Sequence, residues 1–170
     1  STGATVAQSR QLVNDANELV ASGKTRLANT EDILAVQKEA AAEFGNMMMM
    51  STEVAGEVAD IGKSFGYGAT QAGKINSAFM GMGMTADKAA DSQRELAADA
   101  VKAGVNVGAV MQDLADNSKD VQKYFRGNVK ELKKAAIEAA KLGMSIADMA
   151  AVAENLLDFE SSISAQFEFM

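Results

Sequence analysis

The sequence predicts an all-α protein in which long heptad-patterned helices flank a module of short helices, forming an oligomeric, coiled-coil-like assembly. Proline is absent and aromatic residues make up only 5% of the 170 residues, while good helix formers such as Ala, Leu, Glu, Lys and Met dominate. Glycine recurs after apolar helical runs in the middle of the chain, and apolar residues near both ends alternate at spacings of three and four. These observations favour helices and disfavour strands.

The first predicted element is one long amphipathic helix over residues 1–44. Val13, Val20, Leu27 and Leu34 recur at intervals of seven, with further apolar or small residues between them. Such a heptad pattern is typical of a helix that packs along partner helices. Because glycine, threonine and glutamine occupy some of the seam positions, an isolated coiled coil would be weak. We therefore expect the helix to be held in a larger assembly.

The second predicted element is a module of short helices over residues 45–144. Each of its helices is expected to end at a glycine, which adopts the left-handed conformation at little steric cost, and several are followed by a Ser, Thr or Asn that caps the next helix. Asn106, Asn128 and Ser145 are the predicted N-caps, and Asp148 stands at the capping-box position after Ser145. The glycines at these turns are Gly45, Gly66, Gly83, Gly104, Gly127 and Gly143.

The third predicted element, residues 145–170, is the start of a second long helix whose apolar seam associates with copies of itself. Glu160 is a carboxylate within this seam, where it is either partly solvated or buried with a partner that fixes the register of the helices. The seam residues are Ile146, Met149, Ala153, Leu156, Glu160, Ile163, Phe167 and Met170.

Charge limits the classes of partner. The net charge of −7 argues against binding to a nucleic acid backbone as the main activity, since that affinity comes from Lys and Arg. Residues 119–141 nevertheless carry seven basic residues against three acids, whereas residues 142–170 carry five acids and no basic residue. The basic residues either form a solvated face that complements neighbouring acidic helices or make incidental contact with DNA.

The residues that most enzymes and metal sites require are missing from the sequence. The chain contains neither Cys nor His, and no catalytic triad, carboxylate pair or metal-ligand cluster with plausible geometry can be traced in it. We therefore predict no catalytic activity, no cofactor and no bound metal. No uncharged apolar run reaches the roughly 18 residues that a bilayer-spanning helix needs.

Residues 109–168 resemble a segment of the tape measure proteins of tailed bacteriophages. The resemblance is carried by VMQDLADNS at 110–118, AAIEAAKLGMS at 135–145 and LLDFESSI at 156–163. Turns upstream fit the same pattern less specifically. Members of this family often carry a proline near positions 106 and 107, which is absent here, and that departure bears on turn geometry.

The resemblance implies a very long, mostly helical protein that lies in several copies inside the tail tube and continues beyond Met170. Its length would set tail length during assembly, and it would leave the tube ahead of the DNA at infection. The implied partners are copies of the chain itself, with a trimer expected, and the tail tube protein, baseplate hub proteins and tail assembly chaperones. The implied location is the tube lumen or baseplate of the virion tail, after assembly in the host cytoplasm.

Two other classes of function remain open at the level of sequence. A generic coiled-coil scaffold module would explain the Ala-rich heptads but not the glycine-punctuated turns. A membrane-active helical segment, which would contact the host membrane during ejection, would explain the methionines at 47–50 and 80–84 and the glycines between residues 62 and 83. Those methionines are either core filler or an adaptable surface.

Overall fold

The computed structural model describes residues 5–46 and 49–152, and within these ranges the chain forms helices joined by short turns, without a strand. The prediction of an all-α fold is confirmed for this part of the chain. The helices are α1 (Val6–Ala21), α2 (Thr30–Phe44), α3 (Thr52–Ser64), α4 (Ala69–Gly81), α5 (Ala86–Lys102), α6 (Val107–Asp116), α7 (Ser118–Tyr124), α8 (Val129–Leu142) and α9 (residues 146–152).

The prediction of one continuous helix over residues 1–44 is wrong, because the chain turns between α1 and α2. Gly23 has a φ of 73°, a left-handed conformation that ends a helix and that other residues rarely adopt. Beyond the turn, Asn29 and Asp32 form a reciprocal capping box in which each side chain accepts the other's backbone N–H at 2.9 Å. Two strong local signals therefore interrupt the heptad pattern.

The loop between α1 and α2 is held by hydrogen bonds to Asp60, a residue of α3 that is distant in sequence. Its carboxylate accepts the backbone N–H groups of Arg26, Leu27 and Ala28, at 2.9, 2.9 and 2.8 Å. Thr25 Oγ1 also donates to the carbonyl of Ala28 at 2.8 Å. These bonds satisfy the polar backbone of an otherwise irregular segment. The loop is consequently a defined joint that folds α1 back along α2.

Two apolar clusters form the core, and α4 contributes to both. The N-terminal cluster gathers side chains from α1, α2, α3 and the first half of α4, with single residues from the α1–α2 loop, the turn before α3, and α5. The C-terminal cluster gathers the rest of α4 with α5, α6, α7, α8 and the start of α9. Phe65, Tyr67 and Met80 pack against both. Fully buried side chains include Ile33, Val36 and Val58 in the first cluster and Phe79, Leu96, Met111, Leu132 and Ile146 in the second.

The predicted glycine turns are present at each of the six positions. Their glycines have φ values between 66° and 100°. Gly62, inside α3, has a different role: a Cβ there would overlap the backbone carbonyl of Gly68. Its own carbonyl accepts the N–H groups of Tyr67 and Gly68, both at 2.9 Å, so the chain turns tightly from α3 into α4.

Candidate assembly site

The candidate site lies at the start of α9, which packs against the C-terminal cluster through Ile146. Ser145 Oγ accepts the backbone N–H of Asp148 at 3.0 Å, and the Ser145 carbonyl accepts the N–H of Met149 at 3.1 Å. Ile146 is only 1% exposed and belongs to the C-terminal cluster, and Ala150 is also buried. The first turn of α9 is therefore capped by its own sequence and anchored by packing.

Asp113 on α6 provides a second anchor for α9. Its Oδ2 accepts the backbone N–H of Ile146 at 2.7 Å, while Asn117 Nδ2 donates to Asp113 Oδ1 at 2.8 Å. Burial raises the pKa of the Asp113 carboxyl, and the nearby carboxylates of Asp116 and Asp148 raise it further, against the effect of these two hydrogen bonds. The carboxylate thus connects α6, α7 and α9 in an acidic, partly desolvated environment.

The two other predicted caps lie at helix starts in the same half of the molecule. Asn106 Oδ1 accepts the N–H of Ala109 at 2.9 Å at the start of α6. Asn128 Oδ1 accepts the N–H of Glu131 at 3.2 Å at the start of α8. Each bond satisfies one of the backbone donors that a helix N-terminus leaves open. Both residues stabilise the local fold as helix caps.

The predicted N-terminal seam does not form one buried stripe. Val13 is 39% exposed and Leu27 is 53% exposed, while Val20 and Leu34 are half-buried against the N-terminal cluster. The break at Gly23 resets the helical register, so the stripe is split between α1, the loop and α2. The residues of α1 and α2 that are buried instead are Leu12, Ala16, Leu19, Ile33, Val36, Gln37, Ala40 and Ala41.

The C-terminal seam can be located only at its start. Ile146 is buried and Met149 is half-buried, whereas Ala153, Leu156, Glu160, Ile163, Phe167 and Met170 lie outside the described residues. The self-association predicted for this segment therefore stays a prediction.

An apolar groove runs between α1 and α2 on the outside of the N-terminal cluster. Its volume is about 410 Å³. Leu12 and Val13 form one wall and Leu34 and Ala35 the other. Ser9, Glu31 and Lys38 complete the lining. Among these apolar residues Leu12 is buried, Leu34 and Ala35 are half-buried and Val13 is 39% exposed.

A second cavity, of about 520 Å³, lies between α1, α2 and the start of α3. Gln37 lines it and is 0% exposed, yet neither amide atom of its side chain has a hydrogen-bond partner among the described residues. Asp15, Glu18 and Lys24 also line this cavity. A buried amide without partners destabilises the fold by its lost hydration, so Gln37 is a weak point of the N-terminal cluster.

A buried polar network joins α4 and α5 where the two clusters meet. Tyr67 Oη donates to Gln93 Oε1 at 2.8 Å, and Gln93 Nε2 donates to the Ala72 carbonyl at 3.1 Å. Asn76 Nδ2 donates to the Ala86 carbonyl at 3.2 Å. Burial raises the pKa of Tyr67 far above its ordinary range, which keeps the phenol protonated as a donor. Sequence reasoning missed this network because its hydrogen bonds join residues that are 10 to 26 positions apart.

The basic residues of α7 and α8 are mostly solvated. Lys133 contacts Glu95 at 2.6 Å, and its hydrogen bond lowers the pKa of the Glu95 carboxyl. Lys141 pairs with Glu138 at 3.3 Å, and the Lys123 ammonium lies 5.5 Å from the ring centre of Tyr124. The exposed basic residues between 119 and 141 that form no ion pair with a described residue are Lys119, Lys123, Arg126, Lys130 and Lys134.

Two kinds of site are absent from the described part of the chain: groups of side chains that could hold a metal ion, and helices that could span a membrane. Within residues 5–46 and 49–152, no group of three or more acidic side chains is placed to hold a metal ion. The helices described there are all too short or too polar to cross a bilayer. Comparison of the chain with protein-family models, curated proteins and solved structures gives no match.

Proposed function

We propose that this chain is a structural segment of a bacteriophage tail tape measure protein, with an assembly role and no catalytic one. The observation that carries the proposal is the joint at α9. Two of the sequence motifs that carry the resemblance, residues 110–118 and 135–145, meet there in space. Asp113 from the first accepts the N–H of Ile146, directly after Ser145 of the second.

In this proposal helices α1 to α8 form a compact module, and α9 is the first part of a long helix that continues from it. A helix rises about 1.5 Å per residue, so a protein that continues as a helix measures distance through its residue number. The module gives this long helix a fixed starting direction because Ile146 and Ala150 are buried in the core side of the joint. Copies of the chain would then associate along the heptad seam of residues 146–170 inside the tail tube or baseplate.

Surface charge supports a role in a DNA conduit. The net charge of −7 means that the surface as a whole repels a polyanionic genome. The solvated basic residues of α7 and α8 are confined to one part of the molecule, where acidic partners would meet them. Tail tube, baseplate hub and chaperone proteins are the partners to be tested against this face.

The test is to alter the length of the parent protein in the phage. Deleting whole heptads from its helical region should shorten the tail by about 10.5 Å for each heptad. As a control, replacing the same heptads by helical sequence of equal length should leave the tail length unchanged. Tails that keep their length after several heptads have been removed would contradict the proposal. Electron microscopy of purified tails provides the measurement.

A coiled-coil scaffold outside a virion is the second candidate. It is favoured by the groove between α1 and α2, which presents apolar side chains from both helices. Localisation separates the two candidates: immunoblots of purified tails that have been dissociated in denaturant should detect the described module under the first candidate and should not detect it under the second.

A further inference from the structure

The outer face of α2 carries an ordered pattern of side chains. Glu31, Leu34, Ala35 and Lys38 follow one another at spacings of three, one and three, so they lie on one side of the helix. The two charged residues are exposed and the two apolar residues between them are half-buried. Along the helix, this face therefore presents an acidic, a large apolar, a small apolar and a basic side chain in that order.

The two charges of this face have no ion-pair partner among the residues that the structure describes. Neither Glu31 nor Lys38 forms an ion pair with any described residue, although Asp32 on the neighbouring side of the helix pairs with Lys63 at 2.8 Å. Seven residues separate the two charges, which corresponds to about 10.5 Å along the axis. They are too far apart to neutralise each other by direct contact.

We propose that this face binds a second copy of the same chain across a two-fold axis that passes between Leu34 and Ala35. In an antiparallel pair of α2 helices with that centre, Glu31 faces Lys38 of the partner subunit, and Lys38 faces Glu31 of the partner subunit. Leu34 faces Ala35 of the partner subunit. The pattern is self-complementary, which is what a two-fold contact requires.

The groove beside α2 gives the apolar residues a place to pack. Ala35 has a small side chain, so two helices can approach closely at the axis. Leu34 of the partner subunit would then enter the 410 Å³ groove, where Leu12 and Val13 form the wall on α1. Val13, which is 39% exposed in the single chain, would be covered. Burial of these side chains supplies attraction, and the paired charges supply the register.

The predicted contact is small and its affinity is expected to be low. Two short helices and the two symmetry-related grooves are expected to bury less surface than the roughly 1,200 Å² at which stable interfaces begin. The dimer should therefore appear at high protein concentration, or where copies are held together by another contact. The inference does not rest on the phage proposal, because it uses only the α1–α2 face.

The experiment is a charge reversal on the full chain, followed by sedimentation equilibrium over a concentration series. Glu31→Lys and Lys38→Glu should each weaken self-association roughly tenfold, because each makes two like-charge contacts in the symmetric dimer. An equimolar mixture of the two variants should associate about as well as the wild type, since the mixed dimer pairs every charge. The variant that carries both Glu31→Lys and Lys38→Glu should also associate about as well as the wild type, because its charges again pair across the axis.

Glu53→Lys is the matched control for the effect of the substitution on folding. Glu53 is an exposed acid in the first turn of α3, as Glu31 is in the first turn of α2, but it does not line the groove. The control should lose the same favourable interaction with the helix N-terminus and keep wild-type association. Thermal unfolding of all variants checks that each remains folded.

A cysteine cross-link tests the position of the axis. The chain has no native cysteine, so Ala35→Cys places a single thiol beside the predicted axis. A mild oxidant should join two copies of this variant faster than two copies of Glu53→Cys, because a disulfide needs Cα atoms within about 7 Å. The proposal would be overturned by equal cross-linking rates for the two cysteine variants. It would also be overturned if sedimentation showed a trimer, a monomer at all concentrations, or association that does not change with the charge reversals. None of these results would affect the tail-length test.

Discussion

The joint between α1 and α2 and the joint between α8 and α9 use the same device in different electrostatic settings. In each, an aspartate from a helix about 33 residues away accepts backbone N–H groups where a helix begins or a loop turns. Asp60 accepts three such groups, and Lys63 and Arg94 lie on the same side of the molecule in ion pairs of their own. Asp113 accepts one and is surrounded by acidic neighbours that oppose its charge. We therefore expect the N-terminal joint to contribute more to stability, and we expect the contribution of Asp113 at the C-terminal joint to change with pH.

The largest expected effect comes from removing the N-terminal anchor. Asp60→Ala leaves three backbone donors without their acceptor and should lower the free energy of unfolding by about 3 kcal/mol. Asp60→Asn retains an acceptor oxygen and should lie between this variant and the wild type. Urea unfolding followed by circular dichroism gives the comparison. An Asp60→Ala variant as stable as the wild type would show that the loop does not depend on this carboxylate.

Removing the phenol where the two clusters meet should have a smaller effect. Tyr67→Phe keeps the ring but leaves Gln93 Oε1 without its donor, at a cost of about 1.5 kcal/mol. The variant should also resist alkali better. Burial raises the pKa of Tyr67 above its ordinary value of 10.0, so the neutral phenol stabilises the fold below pH 10 and that contribution is lost as the pH rises further.

The measurement for Tyr67 is the midpoint of urea unfolding between pH 8 and 11.5. The midpoint of the wild type should fall more steeply above pH 10 than that of Tyr67→Phe. Tyr124→Phe is the matched control, because Tyr124 is an exposed residue on α7. If both variants follow the wild-type curve, the phenol of Tyr67 does not contribute in this way.

A stabilising substitution is expected inside the N-terminal cluster. Gln37→Met removes an amide without described partners and keeps a similar length and volume, so it should raise the free energy of unfolding by about 1 kcal/mol. Gln93→Met should instead lower it, since Gln93 is equally buried but fully engaged. Thermal unfolding of the two variants checks the difference, and a loss of stability in Gln37→Met would show that the amide is satisfied in solution.

The smallest effect at neutral pH is expected at the C-terminal joint. Asp113→Asn keeps one acceptor oxygen for Ile146 and removes the charge, while Asn117 loses its side-chain acceptor and retains its bond to the Asp113 backbone carbonyl. Because the pKa of Asp113 is raised in the fold, its stabilising contribution is complete below its ordinary value of 3.8 and is lost as the pH rises through the higher folded value. The variant should therefore gain stability relative to the wild type over that range and hold the gain at neutral pH.

Asp113→Ala is the control for the hydrogen bond at this joint. It removes the acceptor together with the charge and should destabilise α9 at every pH. Hydrogen exchange at the amide of Ile146 gives a local readout. If Asp113→Asn and the wild type keep the same difference in stability from pH 3 to pH 7, the carboxyl does not titrate as described.

Local features of the fold could be predicted from sequence and long-range features could not. Glycine turns and caps such as Asn106 depend on residues within four positions of each other, so they can be read directly. The heptad pattern places Gly23 at a seam position inside one long helix, so it hides the turn that Gly23 makes. The capping pair Asn29 and Asp32 is a local signal for the new helix that follows. Of the candidate site, Ser145 carried a local signal, whereas nothing local marked Asp113, whose partner is 33 residues away.

The shared position of α4 has a consequence for how the molecule comes apart. Ile75 and Phe79 contribute to the C-terminal cluster while Ala69 and Ala72 contribute to the N-terminal one, so neither cluster is complete without the same thirteen-residue helix. Unfolding of either cluster exposes one face of that helix and thereby weakens the packing of the other cluster. Melting of the two halves should therefore coincide in a single calorimetric transition, with the slowest amide exchange in the central helix.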